Sequence, residues 1–284
     1  MSMPQSETYT RKVVGTVGSL EYRLYLERNG SPISIWHDIP LYCDDDKKIL
    51  NMVVEIPRWS NAKLEISRNE AFNPIKQDVK NYSPRFVANL FPYKGYIWNY
   101  GAFPGTWEDP SYVHPDTRHP GDNDPLDALE IGERVAYTGQ IKQVKVLGVM
   151  ALLDGGATDW KIIVIDINDP CASQMSDISD VQQHFPGLLE ATRDWFKLYK
   201  VPDGKEPNKI ALNEEFGDKH YAMSIVEECR HAWEKLIDGQ ASAGAISVVR
   251  GKKSNRFLNF NNSADENGLQ STGQDLDKWF FLKR

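Results

Sequence analysis

Two apolar runs rich in β-branched residues flank a short glycine-containing segment, and they constrain the fold more than any other feature of the chain. The first run covers residues 141–153 (IKQVKVLGVMALL), the connecting segment reads DGGATD, and the second run covers residues 161–167 (KIIVIDI). β-Branched side chains favour extended backbone, and glycines favour a tight reversal of the chain. The sequence therefore predicts a β-hairpin here, in a fold that is mainly β.

Hydrophobic periodicity assigns further strands upstream of this hairpin and helices downstream of it. Short strands are predicted at 21–27, 51–56, 62–66 and 96–100. Apolar residues then recur at helical spacing over 186–199 and 219–237, and Pro202 stops the first pattern. Strands followed by two main helices indicate a single α+β domain, mainly β, whose sheet or barrel is flanked by helices.

The composition changes after the second predicted helix. Residues 239–276 are rich in Ser, Gly, Asn and charged residues without a lasting period, which predicts a loosely ordered tail. The closing DKWFFLKR contains Trp279, Phe280 and Phe281, and these residues are too apolar to remain free in solvent. We therefore expect one domain over residues 1–238 and a tail over 239–284 whose DKWFF end docks.

Charge and cysteine content narrow the class of protein. The formal net charge is −7, whereas a general nucleic-acid binder usually shows a basic stripe, so no nucleic-acid partner is expected. Cys43, Cys171 and Cys229 form no CxxC pair, and such a scattered set favours a reducing compartment. The sequence shows no apolar signal segment and no run of membrane-spanning length, so a cytoplasmic location without a membrane partner is expected.

Carboxylates are concentrated at residues 121–133, GDNDPLDALEIGE. Asp122, Asp124 and Asp127 stand close together, and Pro125 stiffens the backbone between them. On an extended chain Asp122 and Asp124 point to the same side, and carboxylates so close raise each other's pKa. Such a group either lies solvated on a loop or binds cations, and this segment alone leaves both possibilities open.

Other polar residues interrupt the predicted strands and turns, and each alone has an ordinary structural explanation. Glu55 fits a solvent-facing strand position, and Lys63 with Glu65 fits an exposed pair. Asp154 and Asp159 fit a turn. Oxygen ligands without His or Cys select hard cations such as Mg²⁺ or Mn²⁺, and cationic and phenolic donors beside them suit a phosphate-containing substrate. Considered together, the candidate residues are Glu55, Glu65, Asp122, Asp124, Asp127, Asp154, Asp159, Lys63, Arg85, Lys161, Lys200, Tyr96, Tyr100 and Tyr199.

Several common motifs do not fit the sequence. Asp122, Asp124 and Glu133 match three positions of a calcium-binding EF-hand loop, but Leu126 replaces a ligand and Asp127 replaces the glycine. The sequence has no GxxxxGK[ST] or GxGxxG phosphate loop, no HExxH pair and no GxSxG nucleophile. None of the histidines is assigned to the site.

Four segments, in order along the chain, carry a resemblance to a known family: VVEIPRWSNAKLEI (53–66), FPYKGYIWNYGAFPGTWEDP (91–110), GDNDPLDALEIGE (121–133) and DGGATDWKIIVIDINDP (154–170). They resemble the soluble family I inorganic pyrophosphatases. The eukaryotic form is the more similar, given an N-terminal extension of about residues 1–20 and the C-terminal DKWFF. The resemblance implies a pyrophosphatase domain with an OB-like β-barrel core flanked by the two main helices, usually a homodimer in eukaryotes.

The resemblance also implies a reaction and a set of roles. The reaction is Mg²⁺-dependent hydrolysis of diphosphate to two orthophosphates by a metal-activated water attacking in line, with several Mg²⁺ ions per active site and Mn²⁺ able to substitute. Asp124 matches the general base, Glu55 and Tyr96 match further positions of the site, and the dimer contact falls near Arg58 and Trp59. The implied metal ligands are Glu65, Asp122, Asp127, Asp154 and Asp159. The implied substrate-binding residues are Lys63, Arg85, Tyr100, Lys161, Tyr199 and Lys200. The resemblance implies that all of these except Lys161 are also catalytic.

Two alternatives share part of this chemistry. A two-metal phosphodiesterase or nuclease should present a basic approach surface, which the net charge of −7 does not support. A non-enzymatic OB-type binding module usually interleaves aromatic residues with Lys and Arg on one strand face. Residues 96–100 (YIWNY) supply aromatic residues, yet the neighbouring motifs are acidic, so diphosphate hydrolysis is the preferred prediction.

Overall fold

The structure is a computed structural model that describes residues 9–43, 46, 49–251 and 276–282. Its helices are α1 (Ile178–His184), α2 (Leu188–Leu198) and α3 (Lys219–Ile237). Its strands are β1 (Tyr9–Val14), β2 (Arg23–Arg28), β3 (Ser31–Ile33), β4 (Leu50–Ile56), β5 (Leu64–Ile66), β6 (Ile75–Gln77), β7 (Val79–Lys80), β8 (Ser83–Pro84), β9 (Asn89–Leu90), β10 (Asn99–Ala102), β11 (Asp127–Glu130), β12 (Ile141–Asp154), β13 (Ala157–Asp166), β14 (Lys209–Ile210) and β15 (Trp279–Phe280).

The centre of the fold is a ring of five strands. Strand β4 pairs with β10, β10 with β11, β11 with β13, and β13 with β12, which returns to pair with β4. The predicted hairpin is confirmed, because β12 and β13 pair antiparallel up to Asp154 and Ala157. Gly155 and Gly156 form its turn at φ values of 60° and 92°, a region that glycine enters without steric cost. The α+β, mainly β fold class with an OB-like core is confirmed.

The two main helices lie where the helical periodicity placed them, and α2 packs on aromatic residues next to the ring. The predicted strand at 96–100 is displaced, since β10 begins only at Asn99. Tyr96 and Trp98 instead pack against Trp195 of α2, with ring centroids 5.0 Å and 5.2 Å apart. The sequence prediction missed β11 because four residues after a proline are too few to establish a period.

A second sheet has the order β1-β2-β6-β5, with β3 paired to β2. The C-terminal β15 pairs in parallel with β9, and Phe91 contacts the rings of Trp279 and Phe281 at centroid distances of 5.7 Å and 5.1 Å. Most of the expected loose tail, residues 252–275, lies outside the described residues, as do residues 1–8 of the expected N-terminal extension. The division at residue 238 therefore stays a prediction.

Candidate active site

A polar cavity of about 170 Å³ opens where several strands of the ring end. All fourteen candidate residues named from the sequence line this one cavity, together with Leu64, Ile66, Pro125, Trp195 and Phe196. These residues come from segments that are far apart in the sequence, so the fold itself brings the acids, cations and tyrosines together.

Strand register explains how the central residues meet. Strands β11 and β13 are parallel, and Asp127 at the start of β11 lies opposite Lys161 of β13. Asp159 lies two residues before Lys161 and therefore shares its face of the strand. Asp154 ends β12, and the end of α2 supplies Tyr199.

The loop before β11 separates two carboxylates that the sequence prediction placed side by side. Asn123 has a φ of 74°, so the expectation of an extended chain at residues 122–124 is wrong. The Asp122 carboxylate accepts a hydrogen bond from the backbone N–H of Asp124 at 3.0 Å, and the indole of Trp107 donates to the Asn123 side chain at 3.0 Å. An asparagine tolerates this left-handed conformation better than most residues do. The result is a loop in which Asp122 and Asp124 have different environments.

Ion pairs neutralise some of the carboxylates of the cavity. Lys161 is buried and contacts both Asp127 and Asp159, while Tyr100 donates its hydroxyl to Asp127. At the other side of the cavity Lys200 contacts Asp154. Buried ionic groups of this kind are tolerated only when each charge is paired.

The outer cations lie near a carboxylate that the sequence reading did not single out. Asp78 lies 3.0 Å from Arg85 and 3.2 Å from Lys63, and Lys63 also lies 2.8 Å from Glu65. In the sequence Asp78 stands between two short strands and resembles a turn residue, so no local signal distinguishes it. Pairing both cations with one acid holds their positive ends at the cavity wall.

Burial and mutual repulsion shift the pKa values of several carboxyl groups upward. Burial first, and then the neighbouring Asp127 and Asp154, raise the pKa of Asp159 from 3.8 to about 7 despite the proximity of Lys161. Burial also raises the pKa of Asp124 to about 6, and burial followed by the Asp159 charge raises the pKa of Asp122 well above its ordinary value. The Asp154 pKa is instead lowered, because the hydrogen bond and charge of Lys200 outweigh burial. Excess negative charge that its own cations do not fully neutralise favours the binding of further cations.

Glu108 is a member of this acidic group that the sequence reading missed. Single oxygen atoms of Glu108, Asp122 and Asp159 all lie within 4.8 Å of one another. One oxygen of Glu108 accepts the Trp160 N–H at 2.9 Å, and the other is buried without a hydrogen-bond partner among the described residues. An all-oxygen group with an unpaired buried oxygen fits a hard divalent cation. The only sequence signal was its place in TWEDP, inside one of the segments that carry the family resemblance.

The buried Glu55 and Tyr96 support the cavity from beneath. The Glu55 carboxylate is buried and accepts a hydrogen bond from the Ile66 backbone N–H at 2.6 Å, so the prediction that Glu55 faces solvent is wrong. Burial first, and then the Asp127 charge, raise the Glu55 pKa well above its ordinary value. The Tyr96 ring contacts the Tyr100 ring at 5.3 Å, and burial raises its pKa to about 12.

A larger cavity of about 440 Å³ lies beyond Glu108, between the 107–121 segment and α3. Aromatic and histidine side chains form much of its wall. Size alone would favour it as the functional site. The larger cavity has Lys235 as its one Lys or Arg and Tyr112 as its one tyrosine, whereas the smaller cavity brings together seven carboxylates, four cations and three tyrosines and is therefore the better candidate.

The raised pKa values predict how cation binding depends on pH. Between about pH 4 and pH 7 the folded cation-free protein holds a proton on Asp159 that the unfolded chain has released, so this contribution to stability falls as pH rises. Divalent cations need the deprotonated carboxylates. We expect Mg²⁺ to raise the melting temperature several degrees more at about pH 8 than at about pH 5. Thermal unfolding with Mg²⁺ and with EDTA at both pH values checks this, and an equal Mg²⁺ effect would contradict it.

A mainly β domain whose cavity combines carboxylates suited to divalent cations with cationic and phenolic donors suited to phosphate is typical of enzymes that use divalent cations to act on phosphate compounds. The family model described as inorganic pyrophosphatase matches residues 52–234. The chain therefore belongs to the inorganic pyrophosphatase family, as the resemblance to its soluble family I members predicts.

Individual relatives extend this similarity over nearly the whole chain. An inorganic pyrophosphatase of Emericella nidulans is 54% identical over 286 residues, which cover 97% of this chain and 98% of that protein. The inorganic pyrophosphatase structure from Schistosoma japonicum has a TM-score of 0.88 at 46% identity, covering 97% of this chain and 100% of that one. A truncated vacuolar soluble pyrophosphatase of Trypanosoma cruzi in complex with PPi has a TM-score of 0.77 at 38% identity, covering 84% of this chain and 96% of that one. Among the described residues, no helix has the length and apolar character that crossing a bilayer demands.

Proposed function

We propose that this chain is an inorganic diphosphatase that hydrolyses diphosphate to two orthophosphates with Mg²⁺. The observation that carries the proposal is the convergence of all fourteen candidate residues on one polar cavity. Membership of the pyrophosphatase family supports the same reaction, and a relative of the same fold binds PPi. The net charge of −7 disfavours a nucleic acid as substrate.

The carboxylates of the cavity are the proposed cation ligands. These carboxylates would hold several Mg²⁺ ions, or Mn²⁺ in their place, which would supply neutralisation of substrate charge and a lowered pKa for a bound water. The unpaired oxygen of Glu108 and its distance from Asp122 and Asp159 add Glu108 to this set. The proposed ligands are Glu65, Asp122, Asp127, Asp154 and Asp159, with Glu108 beside them.

Asp124 is the proposed general base. Its carboxylate accepts the proton of the water that attacks one phosphorus in line with the departing phosphate. Its side chain lines the cavity but contacts none of the cavity's four cations, Lys63, Arg85, Lys161 and Lys200, among the described ion pairs. Burial raises its pKa to about 6, close enough to neutrality for proton transfer to be effective.

The cations and tyrosines bind and orient the substrate. Arg85, Tyr199 and Lys200 stabilise charge on the departing phosphate, while Lys63, Tyr100 and Lys161 hold the phosphoryl group under attack. The Tyr199 hydroxyl donates to Asp154 at 2.9 Å, so substrate binding exchanges a carboxylate partner for a phosphate partner. Fixed donors in a partly buried cavity supply most of the rate enhancement in such reactions.

We also propose a cytoplasmic homodimer with Arg58 and Trp59 near its interface. Trp59 is 56% exposed, and the Arg58 guanidinium lies over its ring at 5.7 Å. An exposed tryptophan beside an arginine is a combination enriched in protein interfaces. Cys171 and Cys229 form no disulfide, which supports a reducing compartment. Sedimentation of the Trp59→Ala variant, expected to shift toward the monomer, tests the proposed interface.

Phosphate release from diphosphate, with Mg²⁺ added and withheld, tests the proposed function. A nucleoside triphosphate and an oligonucleotide serve as control substrates. We expect rapid Mg²⁺-dependent release from diphosphate and little from either control. Preferential oligonucleotide cleavage would support a two-metal nuclease instead, and oligonucleotide binding without release from any substrate would support an OB-type binding module.

A further inference from the structure

The side chain of the proposed base has a cationic partner that is not among the substrate-binding residues. Arg68 Nε lies 3.4 Å from Asp124 Oδ1, and this contact is the one ion pair that Asp124 makes within the described part of the chain. Arg68 does not line the main cavity. It lines a neighbouring space of about 220 Å³ together with Asn69, Lys76 and Asn123. The contact therefore reaches Asp124 from outside the substrate-binding space.

The backbone that carries Arg68 is held from the opposite end of the chain. Arg68 lies in the turn between β5 and β6, and its carbonyl accepts the Ser247 N–H at 2.7 Å. The Asn73 side chain spans the turn, donating to the carbonyl of Ser67 at 3.0 Å and to that of Ser247 at 3.1 Å. The segment around Ser247 and the turn's own Asn73 thus fix the turn, which limits the positions that the Arg68 side chain can reach.

The segment around Ser247 is itself anchored in the domain. The Asp38 carboxylate accepts hydrogen bonds from Arg250 Nε at 3.0 Å and from the Gly251 N–H at 2.7 Å. Ile246 is buried, and the Ser247 carbonyl lies 3.1 Å from His37 Nε2. Residues 246–251 therefore form a fixed support for the turn that carries Arg68.

The cavity cations are unsuited to holding Asp124 during turnover. Lys161 and Lys200 pair with proposed cation ligands, and the proposed function requires them to bind phosphate. Arg68 is not proposed to bind phosphate, so its contact with Asp124 can persist when substrate is bound. A base whose carboxylate turns away from the attacking water loses rate even when every ligand is in place.

We propose that Arg68 is a positioning residue for diphosphate hydrolysis, orienting the Asp124 carboxylate toward the attacking water, with residues 246–251 holding Arg68 in place. The inference rests on the proposed function. In this role Arg68 contacts neither the substrate nor the cations. Its effect is therefore confined to the step in which Asp124 takes the proton.

The test compares Arg68→Gln and Arg68→Lys with the unsubstituted protein. A partly exposed ion pair has a modest orienting effect, so Arg68→Gln should lower kcat about fivefold, with KM for Mg²⁺-diphosphate and Mn²⁺ affinity without substrate unchanged. Arg68→Lys, which keeps the charge, should recover most of the loss. Arg23→Gln is the matched control, because Arg23 pairs with Glu70 of the same turn at 2.7 Å and does not contact Asp124. It should leave kcat unchanged.

A double-mutant cycle decides whether Arg68 acts through Asp124. In the Asp124→Asn background, Arg68→Gln should cause no further loss of kcat, because no base remains to be oriented. A full additional fivefold loss there would overturn the inference, as would unchanged kcat in Arg68→Gln or an equal loss in Arg23→Gln. An unsubstituted protein without diphosphatase activity would instead overturn the proposed function. If Arg68→Gln fails to fold, failure of Arg68→Lys to retain kcat in a folded state overturns the inference.

Discussion

Replacing Asp124 with asparagine is expected to lower kcat for diphosphate by about 10²- to 10⁴-fold while leaving Mg²⁺ affinity nearly unchanged. Asparagine keeps the size of the side chain but cannot accept a proton from water at neutral pH. Asp124 does not belong to the group of Glu108, Asp122 and Asp159, whose oxygen atoms lie within 4.8 Å of one another, and its ion pair among the described residues is instead with Arg68 at 3.4 Å. Steady-state phosphate release and calorimetric Mg²⁺ titration measure the two quantities independently.

Asp127→Asn provides the contrasting result. Asp127 contacts Lys161 and Tyr100 and is a proposed cation ligand, so its substitution should weaken Mg²⁺ affinity along with kcat. If Asp124→Asn damaged Mg²⁺ affinity as severely as Asp127→Asn, Asp124 would be a ligand and the base would have to be sought elsewhere.

The structural elements around the candidate site that the sequence predicted well are those with a strong local signal. Asp154 and Asp159 flank a hairpin turn whose glycines and β-branched flanks define it unambiguously, and both face the cavity. The helix ending near Tyr199 was predicted by its apolar spacing, which the burial of Trp195 and Phe196 explains. Local patterns of this kind report the element directly.

The parts that could not be predicted depend on pairings between distant segments. Parallel pairing of β11 with β13 places Asp127 beside Lys161, and neither strand shows in its own residues which partner it takes. Glu108 enters the acidic group because its backbone N–H donates to the Asp124 carbonyl at 3.0 Å, which joins the 107–109 segment to the 121–124 loop. The alternation that suggested an exposed Glu55 failed for a related reason, since β4 is buried throughout. A strand covered on both faces has no exposed side for a polar residue to mark.

Replacing Arg85 with alanine is expected to weaken phosphate affinity about ten- to a hundredfold, while the affinity of the substrate-free protein for Mn²⁺ stays nearly unchanged. Mn²⁺ affinity should stay unchanged because of the residue with which Arg85 pairs. Arg85 pairs with Asp78 at 3.0 Å, and Asp78 is not among the proposed cation ligands, so losing the guanidinium leaves the ligand carboxylates as they were. The inhibition constant of orthophosphate and a Mn²⁺ titration without substrate measure the two affinities.

A neighbouring cation supplies the control for Arg85→Ala and distinguishes a direct phosphate contact from long-range attraction. Lys80 of β7 is exposed and pairs with Asp203 at 2.7 Å, outside the cavity, so Lys80→Ala changes the net charge equally without removing a phosphate contact. If both variants lost phosphate affinity alike, the effect of Arg85 would be long-range attraction, which added salt would screen. A loss confined to Arg85→Ala and insensitive to salt would assign it a direct contact. A loss of Mn²⁺ affinity in Arg85→Ala would contradict the assignment, because it would mean that Asp78, freed of its partner, disturbs the cation ligands.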